Sequence, residues 1–182
     1  MGQTKALLPI QPGHTLLGRI LGTLSEASLD PLIVVSRARL DIAAAWNHAR
    51  SSDVIQTINP DPSRGQLSSL LCGLDALAND PPALLMTLVD IPLPRVDTVR
   101  SLIDTWQRTR APLVRPVHGG RHGHPVIFGA TLLMALRAAD PAEGTKPLVR
   151  AFAGRGVDVV VDDAGVLLDI DTPDDYRRLI QP

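Results

Sequence analysis

Three aspartates carry the most chemistry in this chain. Asp90 ends the run Leu84-Leu85-Met86-Thr87-Leu88-Val89, which is apolar apart from Thr87. A carboxylate set just beyond a buried strand is a natural ligand for a hard cation. Asp169 and Asp171 flank Ile170 in Leu168-Asp169-Ile170-Asp171-Thr172-Pro173. Alternate residues of extended backbone share a face, so the two carboxylates point one way while Ile170 points into the core. Like charges on one face repel unless a cation or donor lies between them. Structural alternatives stand beside this reading. Asp90 caps the adjoining loop, and Asp171 or Thr172 caps a helix whose first residue is Pro173. Asp162 and Asp163 read as turn residues.

Other polar groups sit where a ligand would meet them. Asn59-Pro60-Asp61-Pro62-Ser63-Arg64-Gly65-Gln66-Leu67-Ser68-Ser69 is a small polar turn leading into a helix. Free backbone N–H groups at such a start suit an anion or a polar ligand edge. Ser68 and Ser69 either contact that ligand or help to start the helix. His118, Arg121, His122 and His124 lie in a stretch expected to be a flexible loop around Gly119, Gly120 and Gly123. No Cys or Glu completes a zinc set there, so exposed histidines are the preferred reading. His124-Pro125 is expected to position the next strand. Arg121 is either a phosphate contact or a solvated loop charge. Lys5 taken alone reads as a solvated charge.

Positioning these groups requires alternating helices and apolar strands. Leu16, Leu17, Ile20, Leu21 and Leu24 recur at helical spacing and predict a helix over 14–27. Further helices are expected at 40–49, 67–77, 94–107, 131–138 and 174–179. Strands are expected at 32–35, 54–58, 84–89, 112–116, 125–128, 157–161 and 166–170, with a hairpin-like junction at 161–166. Residues 140–147 read as a surface loop. The alternation implies an α/β fold, a three-layer arrangement with a mostly parallel sheet covered by helices. Ligands of such sheets bind beyond the C-terminal ends of the strands, where Asp90 falls.

Composition sets outer bounds. A chain of 182 residues, 45% hydrophobic with a formal net charge of −1, fits one domain over residues 1–182. No basic tract points to nucleic acid or a membrane surface. No apolar run reaches the roughly 20 residues of a membrane span. The apolar patch after Lys5 stops at Pro9, which is no signal peptide. A cytoplasmic location is the expectation. Cys72, the one cysteine, excludes an internal disulfide and reads as a buried thiol.

Together these segments resemble the MobA-like nucleotidyltransferases, and within them the molybdenum-cofactor cytidylyltransferase type. Met1-Gly2 and Lys5 match the end of the family's N-terminal signature. Leu7-Leu8-Pro9 and Leu16-Leu17 resemble the segment just after that signature. Asn59-Pro60, Gly65 and Ser68-Ser69 resemble the block that recognises nucleotide base and ribose. Leu88-Val89-Asp90-Ile91-Pro92 resembles the metal-binding block, with Ile91 where many members have Gln. Gly123-His124-Pro125-Val126-Ile127-Phe128 resembles the block lining the acceptor side. Asp169-Ile170-Asp171-Thr172-Pro173-Asp174-Asp175-Tyr176 resembles the C-terminal metal-binding block. The resemblance implies a nucleotide-diphospho-sugar-transferase-like fold and Mg2+-dependent nucleotidyl transfer from CTP or GTP to a molybdopterin cofactor, with release of pyrophosphate. It implies Asp90 and Asp171 as metal ligands, Asp169 as their partner, and Lys5 facing the phosphates. It also sets His124 and Pro125 on the acceptor side, and Gly2, within the matched signature, and Arg121 are taken as further cofactor-binding candidates. A molybdoenzyme or maturation factor is an implied protein partner.

The departure from the family lies upstream. The signature's Leu-Ala-Ala-Gly loop and the strand before it do not precede Met1-Gly2, so the sheet is expected to lack its first strand and the domain to be N-terminally truncated. Either the recorded start is too late, or the chain is a weakened or inactive relative. Three functional readings are therefore open: the molybdopterin nucleotidyltransferase, a non-catalytic accessory protein binding nucleotide or cofactor, and a nucleotidyltransferase for another phosphorylated acceptor.

Overall fold

A computed structural model describes residues 4–11, 14–41, 45 and 54–180. A short hairpin of β1 (Pro9–Gln11) and β2 (His14–Thr15) leads into α1 (Leu16–Glu26). Thr15 caps that helix, its hydroxyl accepting from the Gly18 amide at 3.0 Å. The apolar spacing buries Leu16, Leu17, Ile20 and Leu21 on one face. Strand β3 (Leu32–Ser36) pairs in parallel with β4 (Val54–Ile58). The helix α2 (Gln66–Asp75) then packs across this pair, where Gly73 leaves room for Val35 and Ile33.

The second half of the chain builds a five-stranded sheet. Its strands are β5 (Ala83–Met86), β6 (Leu113–His118), β7 (Arg121–His122), β8 (Val126–Gly129) and β9 (Val157–Val160), in the order β5-β8-β6-β7 with β9 along β6. Helices α3 (Val96–Thr109), α4 (Ala130–Ala138), α5 (Lys146–Phe152) and α6 (Pro173–Ile180) complete the chain. Phe128 on β8 is 1% exposed and packs with Leu67, Leu70 and Leu74 of α2 and with Leu132 and Leu136 of α4. Leu102 of α3 packs against Val114 and Ile127 on the same sheet. Among the described residues no helix is long and apolar enough to cross a membrane.

The α/β layering agrees with the sequence, but the strands are mixed in direction rather than mostly parallel. β3–β4 and β6–β9 are parallel, whereas β8 runs antiparallel to both β5 and β6. The cause is a short connection. Only residues 119–125, β7 among them, separate β6 from β8, and a parallel neighbour needs a crossover of a dozen or more residues. The expected flexible glycine loop is a tight hairpin, with Gly119 and Gly120 at φ +56° and +75°, the backbone that turns of this kind require. Among the described residues β3 pairs only with β4 and β5 only with β8, although α2 packs on both.

Three local readings change. The loop expected at 140–147 contains a 3-10 turn, Pro141–Glu143, and the start of α5. Pro147 sits in the first turn of α5, where proline needs no hydrogen bond. The strand expected at 166–170, with its hairpin-like junction, is instead a 3-10 turn over Ala164–Leu167 continued by extended chain. Cys72 is half-buried rather than buried. Most of the helix expected at 40–49 lies outside the described residues.

Phe128 tests where the core is centred. Phe128→Ala is expected to lower unfolding stability by about 3–5 kcal/mol, the usual cost of emptying an aromatic core site. Denaturant unfolding measures it, and a loss below about 1 kcal/mol would place the core elsewhere.

Candidate functional site

Asp90 stands four residues beyond β5, between two apolar anchors. Val89 packs against the cluster of Leu17, Leu32 and Val34. Ile91 is buried, and its amide donates back to the Leu88 carbonyl at 3.1 Å. The backbone carbonyl of Asp90 in turn accepts from the Ile170 amide at 2.9 Å. Ile170 is 1% exposed, packed with Leu8 and Leu16. Its flanking residues therefore turn outward beside Asp90, as the alternation predicts. The outcome is a cluster in which one carboxylate oxygen from each of Asp90, Asp169 and Asp171 lies within 4.8 Å of the others.

Charge is poorly balanced there. Lys5, on a 3-10 turn at Lys5–Leu7, places Nζ 3.3 Å from Asp171 Oδ1 and 3.9 Å from Asp90 Oδ2. One ammonium faces three carboxylates. Burial, then the neighbouring charges of Asp90 and Asp171, hold the Asp169 carboxyl above its ordinary range, with Lys5 acting against them. Asp90 Oδ1 is buried without a hydrogen-bond partner. An all-oxygen set with an orphaned buried acceptor fits a hard divalent cation.

Helix capping at α6 falls to Thr172 rather than Asp171. The Thr172 hydroxyl accepts from the Asp175 amide at 3.1 Å, and Asp175 Oδ2 accepts from the Thr172 amide at 2.9 Å, a reciprocal cap. The Asp171 carboxylate is thus turned to Lys5 and the cluster.

His124 borders the same place. Burial lowers its pKa, and a hydrogen bond to the Met86 backbone and the charges of Asp90 and Asp169 only partly oppose this. The imidazole is therefore neutral at pH 7. Its Nδ1 is buried without a partner. Pro125 beside it is buried at the start of β8.

The bonds shown for the remaining sequence candidates go to partners other than the three carboxylates. Asn59 is 3% exposed, and its side chain is spent internally, donating to Ser68 at 2.8 Å and Ser69 at 3.0 Å and accepting from the Asp61 amide at 3.0 Å. Ser68 donates to the Gly65 carbonyl at 2.7 Å. These bonds shape the turn before α2. Gly65, at φ +85°, supplies its left-handed residue. Arg121 is exposed on β7. His118 bonds the Val161 carbonyl at 3.0 Å and His122 meets Asp158 at 2.9 Å, so these histidines serve the β6–β9 side. Gly2 lies outside the described residues.

Asp163 is the turn residue that the sequence predicts, accepting from the Gly165 amide at the start of the 3-10 turn, but its long-range bonds are not foreseen. It is 5% exposed and bonds to residues 65 and 68 positions away. Nothing in the local sequence points to these bonds, because Arg95 and Thr98 belong to another element.

An α/β sheet of mixed direction with acidic groups converging beyond β5 defines a nucleotidyltransferase-type scaffold. Residues 1–160 match the family described as the MobA-like NTP transferase domain. The chain belongs to that family, whose general chemistry is nucleotidyl transfer. It is 28% identical over 176 residues to the molybdenum cofactor cytidylyltransferase of Escherichia coli K12, covering 97% of this chain and 86% of the relative. It is 28% identical over 187 residues to the purine catabolism protein PucB of Bacillus subtilis 168, covering 97% and 87%. Among solved structures, Rv0371c of Mycobacterium tuberculosis H37Rv superposes with a TM-score of 0.81 at 28% identity, over 100% of this chain and 91% of that one. The same protein has been solved in complex with manganese, and that structure matches with a TM-score of 0.76 at 28% identity, over 100% of this chain and 94% of that one.

The raised Asp169 pKa has a defined sign. An acid whose pKa is higher in the fold than in the unfolded chain costs stability once ionised, and the cost disappears below the ordinary carboxylate range. Asp169→Asn is therefore expected to raise the Tm of the metal-free protein at pH 7 by about 1–2 °C, the scale of relieving exposed like charges. The gain should vanish near pH 3. A thermal scan in chelator checks both, and a lower Tm at pH 7 would contradict the repulsion.

Proposed function

We propose that this chain transfers a nucleotidyl group from CTP or GTP to the terminal phosphate of a molybdopterin-type cofactor and releases pyrophosphate, with Mg2+ held by Asp90, Asp169 and Asp171. The observation that carries the reading is the convergence of three carboxylates, one with an orphaned buried oxygen, beside Lys5. Family membership supports the chemistry. The cytidylyltransferase relative supports the pterin acceptor, and the manganese-bound structural relative supports a divalent cation.

A divalent ion at such a site neutralises charge on the triphosphate and on the departing pyrophosphate. The attacking group is already a phosphate anion, so no side chain need remove a proton. Its oxygen bonds to the α-phosphorus as the bond to the α–β bridging oxygen breaks, and that oxygen leaves with the electron pair on pyrophosphate. The protein's part is positioning and electrostatics. Asp90 is fixed by its backbone bond to Ile170, which sets it against Asp169 and Asp171. Lys5 balances the carboxylates, and with a cation held by them it would face the phosphates as a point charge. His124, neutral and with Nδ1 free, lines the acceptor side without adding charge. The turn built by Asn59, Ser68 and Ser69 holds the start of α2, where backbone amides meet the nucleotide.

Pyrophosphate release from CTP and from GTP, with Mg2+ and molybdopterin, tests the reading. Asp90→Ala is expected to lower turnover by at least about 100-fold, the scale of losing a positioned electrostatic group in a transfer site. Full activity in that variant would remove Asp90 from the site. No release with either nucleotide from folded wild-type protein would overturn the transfer.

A further inference from the structure

Asp163 is a buried carboxylate that ties together the two chain segments bearing the acidic cluster. One of its oxygens accepts from the Arg95 amide at 2.8 Å and from the Thr98 hydroxyl at 2.6 Å. The other accepts from the Gly165 amide at 3.0 Å and faces Arg95 Nε at 3.7 Å. Arg95 is the N-cap residue of α3, yet its own side chain makes no cap hydrogen bond. A carboxylate from the far end of the chain does that work, where the helix dipole also favours negative charge.

The consequence reaches the site along both segments. From Arg95 back to Asp90 the chain is Ile91-Pro92-Leu93-Pro94, stiffened by two prolines. From Asp163 forward, the chain passes so close to this loop that a Cβ on Gly165 would collide with the Leu93 carbonyl. Val166 is fully buried, and its carbonyl accepts from the His124 amide at 2.9 Å. Ile170 then donates to Asp90. The strap from 163 to 170 is thus pinned at one end by Asp163 and at the other by the Ile170 bond, between Asp169 and Asp171.

We propose that Asp163 is a positioning residue for the cluster: by joining the strap to the start of α3 it sets the separation of Asp90 from Asp169 and Asp171. The metal consequence rests on the cation reading of the cluster, while the positioning itself does not. Asn in its place has one acceptor oxygen for three hydrogen-bond donors, and it leaves the Arg95–Thr98 side or the Gly165 side unsatisfied.

Two readouts on one set of variants test this. Asp163→Asn is expected to weaken Mn2+ binding, measured by the electron paramagnetic resonance signal of free Mn2+, by about tenfold or more, the usual effect of removing a group that orients metal ligands. It should also lower hydrogen-exchange protection of the Ile170 amide at least tenfold beyond any change in global stability. Thr98→Val removes one of the three hydrogen-bond donors and should move both readouts in the same direction by less. Leu136→Ala, on α4 and away from the strap, destabilises the core and is expected to leave Mn2+ affinity within about twofold, since it orients no ligand. Wild-type Mn2+ affinity with unchanged Ile170 protection in Asp163→Asn would overturn the proposal, as would an equal loss of affinity in Leu136→Ala. Should the wild-type protein bind no Mn2+, the cation reading falls and Ile170 protection alone decides: retained protection in the variant overturns the positioning role, lost protection sustains it. Should Asp163→Asn not fold, Thr98→Val carries both readouts, and wild-type values in both overturn the proposal.

Discussion

The crossing of two chain segments at Asp90 is the constraint on which the rest depends. The Ile170 amide meets the Asp90 carbonyl at 2.9 Å, and no other backbone bond of the described residues joins residues 169–171 to the 90 loop. Contact that close needs missing side chains. A Cβ on Gly165 would strike the Leu93 carbonyl, and one on Gly123 would strike the Val166 carbonyl. Glycine at both positions lets three segments lie within hydrogen-bond reach. The sheet supplies the rigid backing: β5 aims Asp90, β8 carries His124 at its entrance, and β9 delivers the strap.

The same crossing gathers negative charge that the fold alone does not neutralise. Lys5 offsets part of it, while burial first and then the charges of Asp90 and Asp171 hold Asp169 above its ordinary range. Repulsion at a site held by buried anchors such as Ile170 and Ile91 is a local cost that the hydrophobic clusters outweigh. A cation converts the repulsion into attraction, which is how a preorganised electrostatic site works. His124 contributes through its neutrality: a protonated imidazole beside Asp90 and Asp169 would compete with a cation for the carboxylates, and burial keeps it uncharged.

Much of this was legible in the residues, and the parts that were not share a cause. The apolar runs marked β3, β4, β6, β8 and β9, and the spacing of Leu16, Ile20 and Leu21 marked α1, because those patterns are local. Asp169 and Asp171 on one face of Ile170 came from strand alternation. The direction of β8 was not legible, since nothing in Val126-Ile127-Phe128 states which neighbours it pairs with. Helix α5 was hidden by Gly144 and Pro147, and the 166–170 segment by apolar residues that extend without pairing. For Ser68 the sequence left ligand contact and helix start both open, and the structure shows its bonds to Asn59 and Gly65 at the start of α2. Asp163 was legible as a turn residue, but its partners Arg95 and Thr98 are remote in sequence, so only the fold displays them.

The central claim is that Asp90, Asp169 and Asp171 hold one divalent cation beside the nucleotide. The most direct measurement is anomalous diffraction from crystals grown with Mn2+ and a non-hydrolysable CTP analogue. The account predicts a single strong peak within direct coordination distance of carboxylate oxygens from Asp90 and at least one of Asp169 and Asp171, with a phosphate oxygen completing the set. Bound nucleotide with Mn2+ elsewhere, or with Lys5 still bridging Asp90 and Asp171 and no peak between them, would contradict it.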